Sequence, residues 1–165
     1  MADLYETHVT AELSPDLTEP ELAELRWHLG LGPRPGRLVI VVDGWPVVTA
    51  DEDGEPLPED RWESDAYPLL AQRGPADPRI GGIAFAGLTR RDGSPDQARW
   101  ALSARQVIHP DDGWPLDQLL AWMRRRASGH HGGPPEVRFH QRFHEDGPSL
   151  TDYLPGAEPG DGGEA

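Results

Sequence analysis

The sequence contains no cysteine, so a disulfide framework, a thiolate metal site and a thiol nucleophile are all excluded. It contains no lysine either. All 15 basic residues are arginine, which removes Schiff-base chemistry and any phosphate-binding loop that depends on its lysine. No apolar run approaches the ~20 residues needed to span a bilayer, and "MADLYETH" lacks the basic start and apolar stretch of a signal peptide. No Gly-x-Ser-x-Gly elbow appears, and "IGGIAFAG" does not open a helix, so it is no dinucleotide fingerprint. These absences lead us to expect a cytoplasmic chain without membrane association, cofactor or metal.

Acid is abundant instead, and the formal charge is −14. Residues 51–79, "DEDGEPLPEDRWESDAYPLLAQRGPADPR", hold nine acids against three arginines, and Glu145 to Ala165 hold six acids and no base. The excess therefore sits in stretches rich in Pro, Gly, Asp and Glu, which read as loop and disorder rather than as ordered carboxylates imitating nucleic acid. Net acidity also argues against direct nucleic-acid binding, which needs cations facing the phosphates. We expect a single domain over 1–147, with 51–79 an acidic Pro-rich loop, and a disordered acidic tail over 148–165. A chain of 165 residues can bury roughly 70% of its unfolded surface in one such domain.

The apolar periods divide the domain into elements. Leu4 to Leu13 alternates, with Tyr5, Thr7, Val9, Ala11 and Leu13 on one face and Glu6, His8, Thr10 and Glu12 on the other, the period of a half-buried strand. Thr18 and Glu21 have the spacing of a capping box, and Leu22, Leu25 and Leu29 recur on one side, so a helix is predicted from about Glu19 to Leu29. "RLVIVV", "DG" and "WPVVT" read as a hairpin with Pro46 on an edge. "IGGIAFAGLTR" and "ARWALSARQVIH" read as a second, longer hairpin around "RDGSPDQ". "WPLDQLLAWMRRRASG" carries the stripe Leu116, Leu119, Leu120 and Met123 of a second helix, with Asp111 and Asp112 near its positive end and Arg124 to Arg126 at its negative end. "EVRFHQRFHE" alternates again as the last strand.

The order strand, helix, hairpin, hairpin, helix, strand predicts an α+β fold. Two helices would cover one face of a mainly antiparallel sheet, close to a ferredoxin-like plan with an inserted hairpin. "VIVV" is apolar on both faces, which implies that part of the second sheet face is also covered, by the hairpin, the long loop or a second copy of the chain. A homodimer through that face is therefore among the expectations.

The outward faces carry the chemistry. The first strand offers Glu6, His8, Thr10 and Glu12; the strand around Trp100 offers Arg99, Ser103, Arg105 and His109; the last strand offers Arg138, His140, Arg142 and His144. Neighbouring strands would pair acids with arginines on a solvated sheet. The sharper reading is a shallow site of Glu6, His8, Arg105, Arg138, His140 and Arg142, in which arginines hold an anionic group and a histidine works near neutral pH.

Within the first strand, "HVTA" resembles one copy of the motif of the two-histidine phosphoesterases, enzymes that use a pair of such segments to cleave or transfer cyclic and RNA phosphates. The resemblance implies that His8 and its hydroxyl partner Thr10 project together, with a second histidine such as His140 completing the pair. No second copy stands in the sequence: His109 is followed by "PDD", His140 by "QRF" and His144 by "EDG".

His140 and His144 are separated by roughly 13 Å on a strand, too far to share one metal. His130 and His131 lie in the flexible composition of "SGHHGGPP". "DEDGEPLPEDRWE" places Pro56 and Trp62 where a calcium loop needs glycine and glutamate. Of the six tryptophans, Trp27, Trp100, Trp114 and Trp122 fall in or beside core elements, whereas Trp45 and Trp62, with Tyr67, are candidates for partner binding or for anchoring the long loop. The reading favoured by these residues is a non-catalytic interaction protein (an inhibitor, immunity or regulatory accessory factor) that binds a basic protein partner through the acidic loop and sheet face. A phosphoesterase-like enzyme and a binder of a small anionic ligand are the alternatives.

Overall fold

The alternation of residues 5–13 becomes the inner strand of the sheet. In the computed structural model, which describes residues 3–42, 46–47, 49–58, 63–64, 66–93, 98–129 and 133–146, the elements run β1 (Tyr5–Leu13), α1 (Glu19–His28), β2 (Pro46–Val47), β3 (Glu63–Ser64), β4 (Gly74–Pro75), β5 (Ile83–Arg91), β6 (Arg99–Ile108), α2 (Gly113–Arg126) and β7 (Val137–Phe143). A 3₁₀ turn, Pro110–Asp112, leads into α2. One five-stranded antiparallel sheet has the order β4-β5-β6-β1-β7, and β2 and β3 form a separate two-stranded ribbon. The protein is thus α+β, and the order of its four long strands is compatible with a ferredoxin-like plan. Among the described residues no helix is long and apolar enough to cross a membrane. Trp45, Trp62, the His130–His131 pair and the tail 148–165 lie outside the described residues.

Register sends the two faces of β1 to different environments. Val9, Ala11 and Leu13 are buried together with Trp100, Leu102 and Ala104 of β6, Leu22, Leu25 and Trp27 of α1, and Leu116, Leu119, Leu120 and Met123 of α2 in one apolar cluster. Both helices therefore close the same face of the sheet. The capping box forms as the sequence predicts: Glu21 N donates to Thr18 Oγ1, and Thr18 N donates to Glu21 Oε2 at 2.9 Å. Glu21 then reaches across to α2, accepting Trp122 Nε1 at 3.0 Å and Arg126 Nε at 2.8 Å. Trp114, placed by the sequence in or beside a core element, lies in the first turn of α2 and is 61% exposed, because it falls outside the apolar stripe of Leu116, Leu119, Leu120 and Met123.

The insertion between α1 and β5 departs from the sequence reading. Arg37 to Val42 is not a strand, and β2 pairs with β3 rather than with it. The reason lies in α1. The Glu24 carboxylate, buried in the core, accepts the backbone N–H of Ile40 and of Val41, each at 2.8 Å, and also that of Val39. Donors taken by a carboxylate are not available to a ladder, so "VIVV" straps over the helix, with Ile40 and Val41 buried and Val39 and Val42 exposed. This also removes the need for a cover on the second sheet face.

The acidic loop 51–79 is divided rather than structureless. Asp51 Oδ1 accepts the N–H of Asp53 at 2.9 Å and of Glu55 at 3.0 Å, folding residues 50–58 into an exposed acidic turn. Ala66, Leu69 and Leu70 are buried and anchor the following stretch, and Leu70 N donates to His28 O at 2.8 Å. Gly30, at φ +64°, permits that approach: a Cβ there would stand 3.0 Å from the Ala71 Cβ.

Candidate functional site

The face of the sheet turned away from the helices gathers the charged residues singled out in the sequence. Its geometry follows from register. Arg105 of β6, His8 of β1 and His140 of β7 lie in one row across the strands, continued by Phe85 of β5. Ser103, Thr10 and Arg138 form the next row, continued by Gly87.

Glu6 is the hub. It is 5% exposed, and its two oxygens are divided between two arginines. Arg105 donates to Oε1 from Nε at 2.7 Å and lies 2.6 Å away through Nη2, while Arg142 donates to Oε2 from Nε at 3.1 Å and Nη2 at 2.7 Å. Each guanidinium thus sets two of its nitrogens on a single carboxylate oxygen, a charge-assisted contact that its planar fork of donors favours. Burial alone would push the Glu6 carboxyl up, but the hydrogen bonds from Arg142, His8 and Arg105 outweigh it and hold the group at about 2. The arginines are committed further. Arg105 also donates to Ile83 O at 2.9 Å and Gly81 O at 2.8 Å, and Arg142 to Asp146 O at 2.9 Å. Glu6, Arg105 and Arg142 thus tie β1, β6, β7 and the entry of β5 together.

His8 Nε2 lies 3.1 Å from Glu6 Oε1, and the His8 and His140 ring centroids are 6.4 Å apart. Thr10 is exposed beside them, and the Arg138 side chain, 76% exposed, pairs with Glu136 at 3.0 Å. Next to this row lies a shallow groove of about 560 Å³ whose walls include Thr10, Glu12, Ser103, Ser128, Pro134 and Arg138. It does not include His8 or His140. Its charges are balanced, since Arg138 faces Glu136 and Arg91 lies 3.5 Å from Glu12.

The structure brings Glu6, His8, Arg105, His140 and Arg142 together and sets Arg138 and Thr10 alongside. It does not bring in the other histidines. His109 sits beyond β6, where its Nδ1 accepts Asp111 N at 3.3 Å at the start of the 3₁₀ turn. His144, expected to point outward, lies past the end of β7 with its side chain almost covered, and its backbone N–H donates to Leu4 O at 2.9 Å. The strand stops at Phe143, so the alternation that put His144 outward no longer applies. Tyr67 is exposed, with its hydroxyl donating to the Asp112 carboxylate. Among the described residues no group of three or more His, Asp or Glu side chains is placed to hold a metal ion.

Sequence reasoning missed the buried carboxylate of Glu24. Glu24 and His28 are both fully buried, with Nε2 3.5 Å from Oε1 and neither ring nitrogen of His28 hydrogen-bonded. Burial pushes the Glu24 carboxyl up, but the His28 imidazole and the N–H groups of Val41, Val39 and Ile40 bring it below the usual carboxylate value. The spacing of four residues within a helix was the available signal. Compared with protein-family models, with curated proteins and with solved structures, the chain matches none.

Proposed function

We propose that the chain is a non-catalytic cytoplasmic interaction protein, an inhibitor, immunity or regulatory accessory factor, that takes a basic protein partner through its acidic segment and open sheet face. One observation carries the reading. Arg105 and Arg142, the cations that an anionic ligand would need, are already closed on Glu6 and on backbone carbonyls. What remains is a wide polar face, with the exposed turn of Asp51, Glu52, Asp53 and Glu55 elsewhere on the surface to steer a partner of opposite charge.

A second reading, a small phosphoesterase, is favoured by the register that sets His8 across from His140 and Thr10 across from Arg138. It supplies the second histidine that "HVTA" alone lacks, and places an arginine where the motif would repeat its hydroxyl.

The two readings separate in one set of measurements. The chain is used as bait, the co-purifying protein is identified, and its affinity is measured for the parent and for a variant carrying Glu52→Gln, Asp53→Asn and Glu55→Gln. The interaction reading expects at least about a tenfold loss in the variant and a marked loss in high salt. Turnover of a 2′,3′-cyclic nucleotide that disappears in both His8→Ala and His140→Ala would overturn it in favour of the enzyme.

A further inference from the structure

The two edges of the five-stranded sheet are defended very differently. β7, on one side, presents Arg138, His140 and Arg142 at alternate positions and follows Pro134 and Pro135. A two-fold antiparallel pairing of β7 with another β7 keeps these even-numbered positions on one face and sets basic side chains opposite one another, a common device against edge-to-edge association. On the other side the edge strand is the two-residue β4, and beyond its reach the edge is formed by β5, which has no charge from Ile83 to Thr89, "IAFAGLT", and exposes Ile83 to 64% and Phe85 to 44%.

Its backbone is also turned outward. Gly82 O accepts Ala76 N at 2.9 Å on the β4 side, whereas Ile83 O and Phe85 O accept from the side chains of Arg105 and Gln106 on the β6 side. Successive residues of a strand direct their N–H and C=O to opposite sides, so Ala84, Ala86, Leu88 and Arg90 direct theirs away from β6. β4 meets only Ile83 and Ala84. Beyond Ala84, the described residues place no strand along this edge.

We propose that the chain self-associates edge to edge through β5, two copies pairing antiparallel about Leu88 to make one continuous sheet. In that register Leu88 faces Leu88 of the second copy, Ala86 faces Arg90, Gly87 faces Thr89 and Phe85 faces Arg91. No like charges are opposed, Phe85 gains a guanidinium over its ring, and the ladder ends before it would collide with β4. The outward N–H and C=O of Ala86, Leu88 and Arg90 are all used. The Glu6–His8–His140 face stays open, so this inference stands apart from the function proposed above.

The full chain is tested by sedimentation at micromolar concentration. A dimer of twice the 18.2 kDa chain mass is expected. Phe85→Lys, which opposes a lysine to Arg91, and Ala86→Pro, which deletes an outward N–H at an edge that tolerates proline, should each weaken it at least about tenfold, with circular dichroism confirming the fold. Should Ala86→Pro not fold, Phe85→Lys decides. Because the protein has no native cysteine, Leu88→Cys reads the register directly: facing Cα atoms about 5.5 Å apart are within disulfide reach, and oxidation should cross-link the pair while His140→Cys on the other edge stays uncross-linked. A parent that is monomeric throughout, a dimer that survives Phe85→Lys, or cross-linking of His140→Cys as ready as that of Leu88→Cys would overturn the proposal.

Discussion

The Trp122 indole of α2 donates to the Glu21 carboxylate of α1 across 3.0 Å, from a position 101 residues later in the chain. The same carboxylate caps its own helix through Thr18 and accepts Arg126. Burial would push Glu21 up, but the Thr18 N–H, Trp122 and Arg126 hold it at about 2. Glu6 does on the sheet what Glu21 does between the helices, joining elements through one ionised carboxylate.

These two groups predict an acid-labile fold. Each is held at about 2 against an ordinary 4.5, so the unfolded chain binds more protons between those values. Their stabilisation is complete above about 4.5 and is lost as pH falls toward 2. Melting temperature followed across this range should drop, and Glu6→Gln should flatten part of the slope.

At neutral pH Glu6→Gln should itself destabilise by on the order of 3 kcal/mol, because it leaves two largely covered guanidinium groups without their counter-charge. Urea unfolding measures this. A loss under about 0.5 kcal/mol, the range of an ordinary surface change, would show that the network is no more than a solvated ion cluster.

Glu24→Gln should loosen the strap of residues 39–41. The amide keeps one acceptor oxygen where the carboxylate has two, so a buried N–H loses its partner at a cost of about 1–3 kcal/mol. Hydrogen exchange at the Ile40 and Val41 amides is the direct measurement, and it should accelerate more than exchange in β1 or β6.

Leu120 is 1% exposed and lies in the α2 stripe against the sheet. Leu120→Ala should cost about 2–5 kcal/mol through lost burial and the cavity left behind. Thermal or denaturant unfolding gives the value.

The sequence by itself determined what depends on neighbours along the chain. The alternation of Tyr5 to Leu13, the Thr18–Glu21 cap and the Leu116–Met123 stripe are written in spacings of two, three and four residues, and they appear as read because local geometry imposes those periods. The grouping of acids and arginines on one sheet face was legible for the same reason. The tertiary structure alone decided which partner each buried polar group would find. "VIVV" has the composition of a strand, yet it became a strap because a carboxylate from α1, 15 to 17 residues earlier, took its N–H groups. Glu6 could have faced solvent or a ligand; register placed Arg105 and Arg142 on it from 99 and 136 residues away. A buried charge must be met by whatever the fold brings within reach, and that depends on three-dimensional proximity, which no local period encodes.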